Sequence, residues 1–256
     1  MSDSLGDRMK MYEKEFYSPE LGYVNQNMPT FVRLDGKAFH TWVKRMNIEK
    51  PFDYRLSLLF QQATIDLCRD VGQILMAYGQ SDEVTFLLNG WANPDSQMYF
   101  GGKIQKITSI MASAFTAHFN LKGVGHFDQW TSALFDARVF NVPTVGEIEN
   151  VFIWRQQDAK RNSIQALARS LYSHSECNGK NQQEMVDMCY KKGILWDNLT
   201  PLQKWGFVVY KESYDVVVGD GMVERSRWVA DTRIPYFVKD KRYIIEKWIT
   251  SRNIGD

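Results

Sequence analysis

The sequence of 256 residues is poor in cysteine, histidine and proline, and it carries almost no excess charge. Three cysteines, Cys68, Cys177 and Cys189, cannot build a disulfide framework and include no Cys-x-x-Cys pair. The four histidines, His40, His118, His126 and His174, are scattered without zinc-ligand spacing. With 31 Lys and Arg against 30 Asp and Glu, the net charge of +1 excludes a strongly basic nucleic-acid coat but leaves room for a local basic groove. No apolar run approaches the roughly 18 residues of a membrane span, and Met1 to Glu15 is too polar and mixed in charge for a signal peptide. Phosphate-loop signals are also missing. Gly36-Lys37, Gly102-Lys103 and Gly179-Lys180 each lack the upstream glycine of a Walker A run, and Gly123-x-Gly125 lacks the third glycine of a dinucleotide fingerprint. These absences lead to the expectation of a soluble, cytoplasmic protein with no membrane partner.

What is present is globular. Hydrophobic residues make up 44% and charged residues 24%, enough apolar surface for a core. The apolar pattern predicts a strand over Thr30 to Asp35, broken by Gly36, with Val32 and Leu34 on one face and Phe31, Arg33 and Asp35 on the other. Asp53 is placed to cap a helix running to about Val71. Ile74 to Tyr78 and Val84 to Leu88 read as a hairpin, Lys103 to Asn120 as a helix, and Ser132 to Val142 as a strand. The order is βαββαβ, a ferredoxin-like α+β arrangement of antiparallel strands with helices on one face. After Pro143, Thr144-Val145-Gly146-Glu147 matches a capping box opening a long helix. A helix over Asn181 to Lys192, an N-cap at Thr200-Pro201, and a hairpin of Phe207 to Val218 with Met222 to Val229 around Gly219-Asp220-Gly221 follow. One compact unit is expected, with a palm-like core over about 28–145 and a helical and hairpin elaboration over about 146–256.

The carboxylates are the first candidates for chemistry. In a βαββαβ sheet the first and third strands lie side by side, so the end of the first faces the turn before the third. That brings Asp35 and Asp82 together. Two clustered carboxylates repel unless a cation lies between them, and carboxylates suit Mg²⁺ shared with substrate phosphates. Two such ions can clamp the attacking and leaving oxygens of a phosphoryl transfer. A single Asp at a strand end is more often a solvated turn residue; the pair is what points to function. The stretch Asp35 to His40 offers backbone N–H groups in a turn before a helix, with Lys37 and His40 as further donors to a triphosphate and Phe39 as core. Lys103 and Lys106 share one face of their helix. Between Asn150 and Lys211, nine Lys and Arg stand against five Asp and Glu, interleaved with Trp154, Trp196 and Trp205; this is either a phosphate-gripping surface or a solvated helix face around buried tryptophans.

Five ordered segments resemble the tRNA-His guanylyltransferase family: Val32 to His40, Lys50-Pro51-Phe52-Asp53, Ala77 to Glu83, Phe135-Asp136-Ala137-Arg138-Val139, and Trp154-Arg155-Gln156-Gln157-Asp158. The resemblance implies a palm that adds nucleotides in the 3′-to-5′ direction. The 5′ end of tRNA is activated by ATP or carries a triphosphate, and the 3′-hydroxyl of a nucleoside triphosphate, typically GTP, attacks it with loss of pyrophosphate. The likeness implies that Asp35 and Asp82 ligate two Mg²⁺, that Gly36 offers a main-chain carbonyl to one of them, and that Glu83 completes the acidic motif. It assigns Gly36, Lys37, Ala38, Phe39, His40, Lys50, Asp53 and Ser81 to nucleotide binding and Lys106 to phosphate neutralisation in catalysis. Lys103, Arg138, Arg155, Lys160, Arg161 and Asn162 are the expected contacts to tRNA or its 5′-phosphates. Eukaryotic members carry His-Ile-Asn-Asn where this sequence has Lys160-Arg161-Asn162-Ser163. In that respect it is similar to the bacterial-type Thg1-like proteins, which favour templated repair of 5′-truncated tRNA. The alternatives are addition of a single G to histidine tRNA, a nucleotide-cyclase-like palm enzyme without an RNA substrate, and a non-catalytic RNA-binding module. A homotetramer is expected from the family.

Overall fold

The computed structural model describes residues 4–15, 22–91, 97–219 and 221–255. Helix α1 (Leu5–Glu15) precedes β1 (Thr30–Gly36), which is followed by α2 (Phe39–Arg45) and α3 (Tyr54–Asp70). The hairpin β2 (Ile74–Gln80) and β3 (Glu83–Leu88) leads through α4 (Ile104–Gly123) to β4 (Phe135–Asn141). The chain continues as α5 (Glu147–Leu171), α6 (His174–Cys177), α7 (Gln182–Lys191), α8 (Pro201–Trp205), β5 (Phe207–Val218), β6 (Gly221–Asp231) and α9 (Arg242–Gly255). The six strands form one antiparallel sheet in the order β4-β1-β3-β2-β5-β6. The first four strands therefore have the expected βαββαβ topology, with β1 and β3 adjacent.

Period-two alternation sorts the strand residues between two cores. Val32, Leu34, Val84 and Phe86 face α3 and α4, where Phe39, Trp42, Phe60, Phe115, Phe119 and Phe135 pack ring against ring, with centroids 4.7 Å apart for Phe39–Trp42 and 4.8 Å for Phe60–Phe119. Phe31, Tyr78, Leu87 and Phe140 face the opposite way, against Phe152 and Trp154 of α5, Met9 of α1 and Trp248 of α9. The palm's own helices α3 and α4 thus lie on one face as predicted. The other face is covered by α5 together with α1 and α9, two helices that are not among the elements predicted from sequence. A third cluster joins α5 to α7 through Leu167, Cys177, Met185, Cys189 and Trp196.

Two predicted caps form. Asp53 accepts from the Arg55 N–H at 2.9 Å, and Thr200 makes a capping box; Asn181 makes another that the sequence reading did not single out. The third does not. Thr144 makes no side-chain cap on α5, whose N-cap is Gly146. Glu147 reaches outward instead, accepting from Asn150 Nδ2 at 3.2 Å and pairing with Arg8 of α1 at 3.4 Å. The C-terminal hairpin pairs with β2 only through Phe207–Tyr210 and then projects past the sheet. Its predicted turn residue Asp220 lies outside the described residues.

Candidate active site

The site is built where β1 ends and β3 begins. Gly36 N–H donates to the Asp82 carbonyl at 3.1 Å, and Asp35 lies opposite Glu83 in register. β2 and β3 are joined by Ser81 and Asp82 alone, and Ser81 adopts a left-handed conformation with φ of 52°. Ala38, at the start of α2, is also left-handed, with φ of 50°. Such backbone costs a non-glycine residue of order 1 kcal/mol and concentrates at functional sites. Here both residues flank the carboxylates. Gly36 must be glycine because a Cβ there would meet the Phe39 ring at 2.6 Å.

Both carboxyls are raised, chiefly by burial and then by a neighbouring carboxylate. Burial, the Asp35 charge and an opposing Ser81 hydrogen bond leave the Asp82 carboxyl above its ordinary value. Burial and then Asp136 raise Asp35, against the pull of Arg33, Arg138 and Arg155. Asp136 lies directly across from Asp35 on β4. It was not among the expected site residues, although the Phe135-Asp136-Ala137-Arg138 alternation puts it on the face shared with Arg138. Neither Asp35 nor Asp82 has an ion-pair partner among the described residues, and like charges facing each other across strands are unfavourable. This donor set of repelling oxygens fits a hard divalent cation.

On one side of the pair is a cavity of ≈ 450 Å³. Phe39, His40, Lys50, Asp53, Ser81 and Asp82 line it, so the structure gathers six of the expected residues from three separate stretches. Gly36, Lys37 and Ala38 form the adjoining turn, where Lys37 N–H donates to the Leu134 carbonyl at 2.8 Å. Asp53 is already engaged. Its burial is outweighed by hydrogen bonds from the Arg55 side chain and from the N–H groups of Glu49 and Arg55, which hold its carboxyl below the ordinary value. Its direct role is therefore to cap α3. Asn162, expected at tRNA, lines this cavity too and donates to Gln80 Oε1 at 3.2 Å.

On the other side, the face carrying Asp35 also carries a basic cleft of ≈ 710 Å³ whose lining includes Lys10, Lys14, Arg33, Arg138 and Arg161, against Glu13 and Asp158. Three expectations need correction. Glu83 is not open to substrate: it is buried and pairs with Arg155 at 2.7 Å and Arg33 at 3.8 Å, and burial, partly offset by those arginines, raises its carboxyl. Arg155 is correspondingly buried, stacked over Trp154 at 3.7 Å, and serves as an internal tie rather than a free phosphate contact. Lys160, whose expected tRNA contact nothing here overturns, has its Nζ 5.7 Å from the Trp196 ring centroid and 5.8 Å from that of Tyr236. Lys103 and Lys106 begin α4, at the end of the sheet where β1 starts. There Val24 bonds Gly102 and Asn25 bonds Asn141, so these lysines lie a sheet's length from Asp35 in the same chain. Lys106 Nζ sits 4.5 Å over Phe100.

Paired carboxylates at the adjoining ends of the central strands of a βαββαβ sheet, between a nucleotide-sized cavity and a basic cleft, are the mark of a palm-type nucleotidyltransferase. The family model described as tRNAHis guanylyltransferase matches residues 6–143, and the chain belongs to that family. A bacterial tRNA(His) guanylyltransferase (Thg1)-like protein solved in complex with ATP matches with a TM-score of 0.79 at 35% identity, over 95% of this chain and 98% of that one. The GTP complex of a protein with the same description matches with a TM-score of 0.74 at 34% identity, over 96% and 99%. A probable tRNA(His) guanylyltransferase of Dictyostelium discoideum is 27% identical over 78% of this chain and 81% of its own length.

Proposed function

We propose that this protein adds nucleotides to the 5′ end of tRNA in the 3′-to-5′ direction and that it acts chiefly in templated repair of truncated 5′ ends. The observation that carries the proposal is the placement of Asp35 and Asp82 between the two concavities. The cavity takes the incoming nucleoside triphosphate, with Ser81 and the Asp35–His40 turn at its phosphates and His40 and Lys50 as side-chain donors. The cleft takes the phosphates at the tRNA 5′ end through Lys10, Lys14, Arg138 and Arg161. In the transfer itself, the 3′-hydroxyl oxygen of the incoming nucleotide bonds to the α-phosphorus of a 5′-triphosphorylated tRNA, the bond to pyrophosphate breaks, and the hydroxyl proton passes to solvent water.

Asp35, Asp82 and the Gly36 carbonyl would hold Mg²⁺. When bound, the metal supplies charge neutralisation and Lewis-acid activation of the hydroxyl and leaving-group oxygens. The protein's part is to hold the two polyanions in line across the end of β1 and to keep the acidic pair rigid through Gly36 and Ser81. Glu83 and Arg155 anchor α5 beneath the site. Templated repair rather than addition of one G is supported by Lys160-Arg161-Asn162-Ser163 and by the likeness to the bacterial Thg1-like structures. By the same likeness we propose a homotetramer, which light scattering would verify. Among the described residues no helix is long and apolar enough to cross a membrane.

The test is a nucleotide-addition assay on a tRNA lacking its first nucleotide, with Mg²⁺, ATP and each nucleoside triphosphate in turn. Addition only of the nucleotide complementary to the opposing base establishes templated repair. Addition of G regardless of that base would move the protein to histidine-tRNA maturation. A cyclic nucleotide formed without RNA would make it a cyclase.

A further inference from the structure

Three basic side chains line the nucleotide cavity: His40, Lys50 and Arg169. The first two belong to segments that resemble the family's nucleotide-handling stretches. Arg169 does not. It stands in the last turn of α5, is exposed, and has no ion pair, hydrogen bond or ring partner among the described residues. Other arginines of the same helix are engaged, Arg155 with Glu83 and Arg161 with Asp158. An exposed guanidinium on a cavity wall with no protein partner is free to exchange solvent for a ligand's acceptors.

Its distance from the carboxylates sets what it can reach. Asn162 marks the near end of the cavity, bonded to Gln80 next to the Ser81–Asp82 turn. Arg169 is seven residues further along the same helix, about 10 Å of rise. That is the scale of the separation between a nucleotide's phosphates and its base. The lining also offers Leu56, Ala166, Leu202 and Phe207, apolar surface suited to ring faces. With the phosphates at Asp82, the base falls at the Arg169 end. A guanidinium is a flat fork of donors, and a purine presents N7 as an acceptor on its outer edge, joined in guanine by O6.

We propose that Arg169 reads the purine edge of the incoming nucleotide, donating to N7 and, in guanine, also to O6, so that without RNA binding runs GTP above ATP above the pyrimidine triphosphates, while pairing with the opposing tRNA base selects the nucleotide that is added. The inference rests on the nucleotide reading of the cavity given above.

The test is equilibrium binding of GTP, 7-deaza-GTP, ATP, UTP and CTP to the full chain and to its Arg169→Ala and Arg169→Lys variants with Mg²⁺ present. The wild-type chain should bind GTP roughly tenfold more tightly than 7-deaza-GTP. Arg169→Ala should erase that difference and leave UTP binding unchanged, and Arg169→Lys should restore only part of it, because an ammonium cannot form the fork. Equal weakening for every nucleotide would put Arg169 on a phosphate and overturn the proposal. An unchanged profile in Arg169→Ala would also overturn it while leaving the nucleotide cavity standing. Absence of any nucleotide binding in the wild-type chain would remove both readings.

Discussion

The main-chain N–H of Gly36 donates to the carbonyl of Asp82 at 3.1 Å, so one backbone hydrogen bond holds together the two loops that carry the acidic pair. Asp35 precedes the donor and Asp82 is the acceptor residue. The pair is thereby tied to the central strands of the sheet, and a rigid platform is what in-line transfer between two polyanions requires.

That arrangement buries both carboxyls beside other carboxylates, Asp136 next to Asp35 and Asp35 next to Asp82, and it gives a pH signature. The Asp35 and Asp82 carboxyls are both raised, so in the metal-free chain the folded state holds more protons than the unfolded one from the ordinary value of 3.8 up to the raised values. Their contribution to the unfolding free energy is therefore fully present below 3.8 and is lost as pH rises through the raised values. Mg²⁺ should reverse the loss near neutral pH, by about 2.7 kcal/mol at a hundredfold excess over its dissociation constant, and do little in acid. Thermal melts with and without Mg²⁺ across pH measure this, and Asp82→Asn should flatten both dependences.

Arg155 should matter for folding more than for RNA contact. Arg155→Met leaves the Glu83 carboxyl buried beside Arg33 alone and should lower stability by about 3 kcal/mol in urea unfolding. Adding Glu83→Gln should recover part of the loss. If Arg155→Met kept full stability and lost only tRNA affinity, the internal tie would be wrong.

Asp53 should behave as a cap with an acid-side dependence. Asp53→Ala should cost about 1 kcal/mol at neutral pH. Because the Asp53 carboxyl is held below 3.8, its contribution is present above that pH and is lost as pH falls through the lowered value. The gap between wild type and variant should then close in acid, as melts below pH 4 would reveal.

Gly206 has φ of +80°, and a Cβ there would overlap the carbonyl oxygen of Gly79 on β2. Gly206→Ala should therefore destabilise by more than about 1 kcal/mol and loosen the junction between α8 and the sheet. Proteolysis near Trp205 compared with wild type would register it.

The sequence showed the palm clearly because its signals are local and mutually consistent. Val32 and Leu34 alternate with Phe31 and Arg33, Asp53 caps α3, and the β1–β3 adjacency of the topology brings Asp35 to Asp82. What it hid depends on tertiary partners. Met9 and Tyr12 of α1 and Ile244 and Trp248 of α9 are helix-spaced, but their short polar helices gain meaning only from the second face of the sheet. The Thr144 box fails because Glu147 finds Arg8 on α1. Glu83 and Arg155 look like functional charges in one dimension and become a buried pair in three. The spacing of Lys103 and Lys106 says which helix face they share, not that the helix starts at the far end of the sheet. Arg169 had no motif to announce it; only the cavity places it with His40, Lys50 and Ser81.

The central claim is that the Asp35–Asp82 pair transfers nucleotides to a tRNA 5′ end. Its most direct test is single-turnover addition to a 5′-triphosphorylated, truncated tRNA by the wild-type chain and by Asp35→Asn and Asp82→Asn, with tRNA binding measured in parallel. The account predicts addition by wild type, a loss of at least about a hundredfold in each variant, and tRNA affinity retained. Full addition by Asp82→Asn, or none by a folded wild-type chain that binds both substrates, would contradict it.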